Sequence, residues 1–147
     1  MLKIGAKAPD FTAPDQIGAL HKLSEYKGRW VLLYFYPRDN TPGCTAEACS
    51  LRDNFTEFKK IDAVILGVST DSVKSHANFA NKYQLPFTIL ADSDEKIVKA
   101  YGADGLLRRI SYLINPNGQI VQVYGSIKPN KHAAEVLRDL RVFKNGP

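Results

Sequence analysis

The chain has 147 residues, 44% of them hydrophobic and 24% charged, with a formal net charge of +5; that length supports one domain with its own core, expected over residues 1–147. No apolar run approaches the ~20 residues that cross a bilayer, and the opening MLKIGAKAPDF lacks the apolar stretch of a signal peptide, so a cytoplasmic protein without a membrane partner is expected. The 20 basic residues are scattered, and the pairs Lys59-Lys60 and Arg108-Arg109 are not interleaved with aromatic residues, which argues against a nucleic-acid partner.

The first 25 residues read as a hairpin turning near Gln16 to Gly18. WVLLYFY, from Trp30 to Tyr36, is a continuous apolar run ended by Pro37 and predicts a buried central strand. Ala48, Leu51, Phe55 and Phe58 recur at spacings of three and four and predict a helix from about Pro42 to Lys59. A second buried strand covers Ala63 to Ser69; Asp71 or Ser72 then caps a helix reaching about Tyr83. Phe87 to Asp92 is a third strand, followed by a short helix around Lys96 to Tyr101. Arg109 to Gly125 is a hairpin around Asn115-Pro116-Asn117-Gly118, and a last helix spans about Asn130 to Arg141. There is no repeat, linker or low-complexity tract, and the order predicts an α/β domain with a mixed sheet flanked by helices.

Both cysteines of the chain, Cys44 and Cys49, fall at the start of the first long helix. Their spacing of five differs from the spacing of three in a zinc knuckle or a thioredoxin-type pair. Thr41 sits at the N-cap and Pro42 at the first helical position, which puts Cys44 in the first turn. Free N–H groups and the positive dipole end favour thiolate there, at the carboxyl edge of the central strand where α/β sheets build sites. The plain alternative is a small buried core residue, but Gly43 beside it leaves the sulfur approachable. His21, His76 and His132 are isolated in sequence, with His76 and His132 expected to be exposed on helices. No metal site, phosphate loop or cofactor is indicated.

Pro37, Thr41 and Cys44 fit Pro-x-x-x-Thr-x-x-Cys, and FYPRDNTPGCTAEACSLRDNF resembles the bacterioferritin-comigratory, or Q-type, branch of the peroxiredoxins. GAKAPDFTAPDQIG, LGVSTDS, LPFTILAD and RISYLINPNGQI extend the resemblance over nearly the whole chain. It implies a thioredoxin-like fold and a thiol peroxidase that removes hydrogen peroxide and organic hydroperoxides and is reduced by thioredoxin. By the same resemblance Cys44 is the peroxidatic cysteine, Thr41 offers its hydroxyl to sulfur and peroxide, Pro37 shields the pocket, and Arg109 is the site cation. Neighbours on a strand face opposite sides, so Arg109 at the site leaves Arg108 as a surface charge. The segment AYGADGLLRR before them is shorter than the family's usual loop. Glu47 reads either as a site carboxylate tied to an arginine or as a first-turn dipole residue. Arg38 reads as loop charge, and Arg52 as too far along the helix to reach the sulfur.

The implied cycle passes through a Cys44 sulfenic acid and a Cys44–Cys49 disulfide, and relatives suggest a monomer, with a dimer as the alternative. Five residues of intact helix advance ~7.5 Å and turn ~500°, which leaves the two Cα atoms ~8.7 Å apart. A disulfide needs roughly 4.4–6.8 Å, so the helix is expected to unwind once per cycle. A general disulfide oxidoreductase and a non-enzymatic redox sensor or chaperone-like module are the other readings. Peroxide turnover with a dithiol separates them.

Overall fold

The computed structural model describes residues 1–104 and 109–145. Its centre is a five-stranded mixed sheet, built on the apolar run that the sequence marks. With β1 at Thr12–Pro14 and β2 at Leu20–Lys22 forming the N-terminal hairpin, the sheet comprises β3 (Trp30–Phe35), β4 (Ala63–Ser69), β5 (Thr88–Ala91), β6 (Ile110–Ile114) and β7 (Ile120–Tyr124). The order is β5-β4-β3-β6-β7. β3, β4 and β5 run parallel, while β6 is antiparallel to both β3 and β7. The helices are α1 (Pro42–Asp53), α2 (Phe55–Lys60), α3 (Val73–Tyr83), α4 (Lys96–Ala100) and α5 (His132–Asn145).

Alternation along β3 sends its side chains into two cores. Leu32 and Tyr34 pack with Cys44, Ala48 and Leu51 of α1, Phe58 of α2, Phe79 of α3 and Leu140 of α5. Val31, Leu33 and Phe35 pack on the other face with Ile97 and Val98 of α4, Tyr101 and the N-terminal Ala8, Ala13 and Leu23. A Cβ on Gly67 of β4 would lie 2.8 Å from the buried Tyr34 ring and 3.0 Å from Ile89 Cγ2. Gly67→Ala should therefore destabilise the fold by ~1–3 kcal/mol, read as a lower urea midpoint. A stability equal to wild type would show that Tyr34 can move.

The helix expected from Pro42 to Lys59 is interrupted. Asn54, at φ −104° and ψ 7°, ends α1, and its side chain donates to the Ser50 carbonyl at 2.8 Å, competing with the helical ladder. α5 starts two residues later than predicted and runs on to Asn145, where Phe143 stacks on Trp30 at 5.8 Å. A 3-10 turn at Leu23–Tyr26, with Glu25 accepting from the Lys22 N–H, was not predicted. Ser72 rather than Asp71 caps α3, accepting from the Ser75 N–H. The expectation that His76 and His132 are exposed is corrected: they are 0% and 1% exposed. Each is buried because the fold supplies polar partners for both of its ring nitrogens. Arg108 lies outside the described residues.

Candidate active site

Thr41 is extended at the α1 N-cap, and the helix opens with the Thr45 N–H on the Thr41 carbonyl at 2.8 Å. Its hydroxyl does not cap the helix; it donates to the Arg38 carbonyl at 3.0 Å. Cys44, two residues past Pro42, is 2% exposed, and both cysteines are free. β6 runs antiparallel to β3 with Ile110 opposite Phe35, so the residue before β6 comes to the carboxyl end of β3, where α1 begins. That residue is Arg109. Its guanidinium straddles two acidic groups of α1, with Nη2 donating to Cys44 Sγ at 3.4 Å and Nη1 to Glu47 Oε1 at 2.8 Å. Gly43 makes the approach possible, because a Cβ there would stand 2.9 Å from Arg109 Nη2.

Glu47 is 0% exposed, and burial pushes its carboxyl up to about 7 against the charge and hydrogen bond of Arg109. Its Oε2 and the Tyr34 hydroxyl are buried without a hydrogen-bond partner. Burial, then the negative charges of Glu47 and Cys44, push the Tyr34 phenol well up, so it stays protonated. Behind Arg109, His132 on α5 meets Ser111 and Glu135; burial lowers its pKa against Glu135, and the Arg109 charge lowers it further.

The loop before Thr41 is held from the side of α3. Asp39 accepts from the Tyr36 hydroxyl at 2.6 Å and from Ser75 Oγ at 2.8 Å, and it pairs with His76 Nδ1 at 2.6 Å. His76 Nε2 donates to the Leu90 carbonyl, while the Asp39 N–H donates to Asp71. Asp39, Asp71 and His76 thus stand together with ligating atoms within 4.8 Å of one another, a cluster that the sequence did not disclose. Of the expected site residues, Cys44, Arg109 and Glu47 meet. Pro37 and Arg38 are exposed.

The AhpC/TSA family pattern matches residues 4–123. The chain is 40% identical to peroxiredoxin Bcp of Bacillus subtilis, covering 95% of this chain and 96% of that one. The chain belongs to the AhpC/TSA family, the peroxiredoxins. It is similar in structure to PrxQ of Xylella fastidiosa, with a TM-score of 0.92, 33% identity and 98% of each chain covered. It is also similar to the bacterioferritin comigratory protein of Xanthomonas campestris, from work on that protein's alkyl peroxide reduction, at TM-score 0.87, 35% identity and 96% of each chain. The fold is therefore thioredoxin-like and the protein is a thiol-dependent peroxidase, acting on hydroperoxides with a thiol reductant.

In this peroxiredoxin Cys49 is half-buried on the same unbroken α1 as Cys44. Arg52, one turn on, lies beside Cys49 rather than Cys44: its pKa is raised first by the Asp53 hydrogen bond, against desolvation, and then by Cys49. Arg52 Nη1 also donates to the Tyr83 carbonyl at 2.7 Å, tying the far end of α1 to α3. No helix among the described residues is long and apolar enough to cross a membrane.

Proposed function

We propose that Cys44 is the peroxide-attacking thiolate and Cys49 the thiol that resolves it. The observation that carries this reading is the Arg109 guanidinium on Cys44 Sγ at the first turn of a helix. The thiolate attacks the terminal oxygen of ROOH; the O–O bond breaks, RO⁻ takes a proton to leave as ROH, and sulfur is left as a sulfenic acid. Arg109 stabilises the thiolate and the charge growing on the departing oxygen. The Thr41 hydroxyl donates its hydrogen bond to the Arg38 carbonyl, which leaves its oxygen free to accept from the incoming hydroperoxide. Cys49–SH then condenses with Cys44–SOH, releasing water and forming the disulfide. A dithiol protein of the thioredoxin class reduces it by exchange, in a reducing compartment such as the cytoplasm. Pro37, exposed in the loop before Thr41, shields the pocket from water. All these groups lie on one chain, so the cycle needs no second copy of it.

Cys49→Ser should consume about one equivalent of peroxide per chain and then stop, leaving a sulfenic acid that dimedone traps on Cys44. Continued thioredoxin-driven turnover by this variant would remove Cys49 from the cycle.

A further inference from the structure

Two buried side-chain polar atoms among the described residues lack a hydrogen-bond partner, Glu47 Oε2 and the Tyr34 hydroxyl, and the Tyr34 hydroxyl feels the charges of both Glu47 and Cys44. A buried polar group without a partner costs roughly 1–3 kcal/mol, so a pair of them beside a reactive centre calls for a role. The charges around them are limited. Facing Glu47 are Cys44 on its own helix, Tyr34 on β3 and Arg109 before β6; beyond Arg109 lies His132 on α5, kept neutral, and Asp39 reaches Tyr34 from the loop. Two acids, the Cys44 thiol and the Glu47 carboxyl, thus share one guanidinium in a site that is largely buried.

We propose that Glu47 is the proton acceptor paired with Cys44: as the thiol loses its proton the Glu47 carboxylate gains one, Arg109 holds both groups, and Oε2, the carboxyl oxygen that Arg109 leaves free, carries the proton. The S–H bond breaks, an O–H bond forms on Glu47, and no electrons change hands. Thiol with carboxylate and thiolate with carboxylic acid carry the same total charge, zero with Arg109 counted. Ionising both acids would leave one uncompensated negative charge in the core, the situation in which paired acids share a proton. Burial of Glu47, which pushes its carboxyl up to about 7, makes it a base matched to neutral pH. As neighbours at i and i+3 on α1, the two groups face the same side of the helix. This inference rests on Cys44 as the peroxide-attacking thiol, and its tests read protonation, so they can fail while peroxide turnover through Cys44 stands.

Glu47→Gln keeps the size of the side chain and an oxygen for Arg109 but cannot take a proton. In a Cys49→Ser background, its Cys44 should be alkylated by iodoacetamide at about pH 6 roughly tenfold faster than with Glu47 present, because a like charge competing for Arg109 is gone. A purely anchoring role predicts the opposite sign, since Arg109 freed from Glu47 would hold the thiolate less well. An unchanged or slower rate overturns the proposal. Infrared spectra read the stored proton in the folded wild-type sequence. At neutral pH the reduced protein should show a buried carboxylic-acid band that is absent in Glu47→Gln and weaker in Cys44→Ser, where no thiolate drives the proton onto Glu47. A band equally strong in Cys44→Ser overturns the proposal.

Discussion

Cys44→Ser is expected to abolish peroxide turnover, and Arg109→Ala to retain it at a rate lower by about 10²–10³-fold, or ~3–4 kcal/mol of barrier. A serine hydroxyl at this position has almost no anion to offer, and neither Glu47 nor Cys49 replaces the lost nucleophile. On the proposed assignment the arginine acts twice. In the resting state Nη2 at 3.4 Å from Sγ favours thiolate, and in the transition state the same charge faces the oxygen that departs. The side chain is 19% exposed, so water does little to screen it. Two measurements separate the roles: iodoacetamide alkylation against pH reports the thiolate, and the peroxide rate at a pH where the thiolate is complete reports the leaving group. Turnover by Cys44→Ser would end the assignment of the nucleophile. An Arg109→Ala rate restored fully at high pH would confine the arginine to holding the thiolate.

Oxidation is expected to unwind residues 42–50 and erase the amide protection of 45–50, while 51–53 and α3 stay protected. Both cysteines are free on a continuous helix, and helix geometry sets their Cα atoms ~8.7 Å apart, beyond the reach of a disulfide. Cys44 is also 2% exposed and held by Arg109, so it must leave its pocket to meet Cys49. The opening stops near Arg52, which is bonded to the Tyr83 carbonyl, and near Asn54, where the helix already ends. Ser50 Oγ on the Asn130 carbonyl, at 3.4 Å, is the weak tie that must break. Far-UV circular dichroism should report the loss of about two turns, and amide exchange its location. Equal protection of 45–50 in both redox states would mean that the disulfide forms elsewhere or not at all.

The sheet was legible because β3 and β4 are unbroken apolar runs of strand length, rich in β-branched and aromatic residues, as a strand covered on both faces requires, and the β6–β7 turn is written in Asn115 to Gly118. The start of α1 was legible from Thr41 and Pro42, although the Thr41 hydroxyl turns to Arg38 rather than to the helix. Arg109 could be chosen over Arg108 only through resemblance, since alternation along a strand says that one of two neighbours faces the site and not which. Glu47 stayed open because its role depends on a partner 62 residues away. His76 and Asp39 were missed for the same reason, being 37 apart in sequence and brought together by the crossover from β4 to α3. A histidine on an amphipathic helix reads as exposed until the fold supplies a buried carboxylate and a carbonyl for its two nitrogens.

That buried pair gives the opening helix a fixed upstream end. Asp39 is fastened to Tyr36, Ser75 and His76, and Arg52 to Tyr83, so the segment that moves lies within a tether, residues 40–51, pinned at both ends against α3. A tether of that kind has little slack. Releasing its middle frees backbone entropy of ~1–2 kcal/mol per residue, yet neither end can wander, and the two sulfurs stay within searching distance of each other. On the proposed cycle, oxidation closes a short loop on an otherwise unaltered frame, and the loop can rewind as soon as its disulfide is cut.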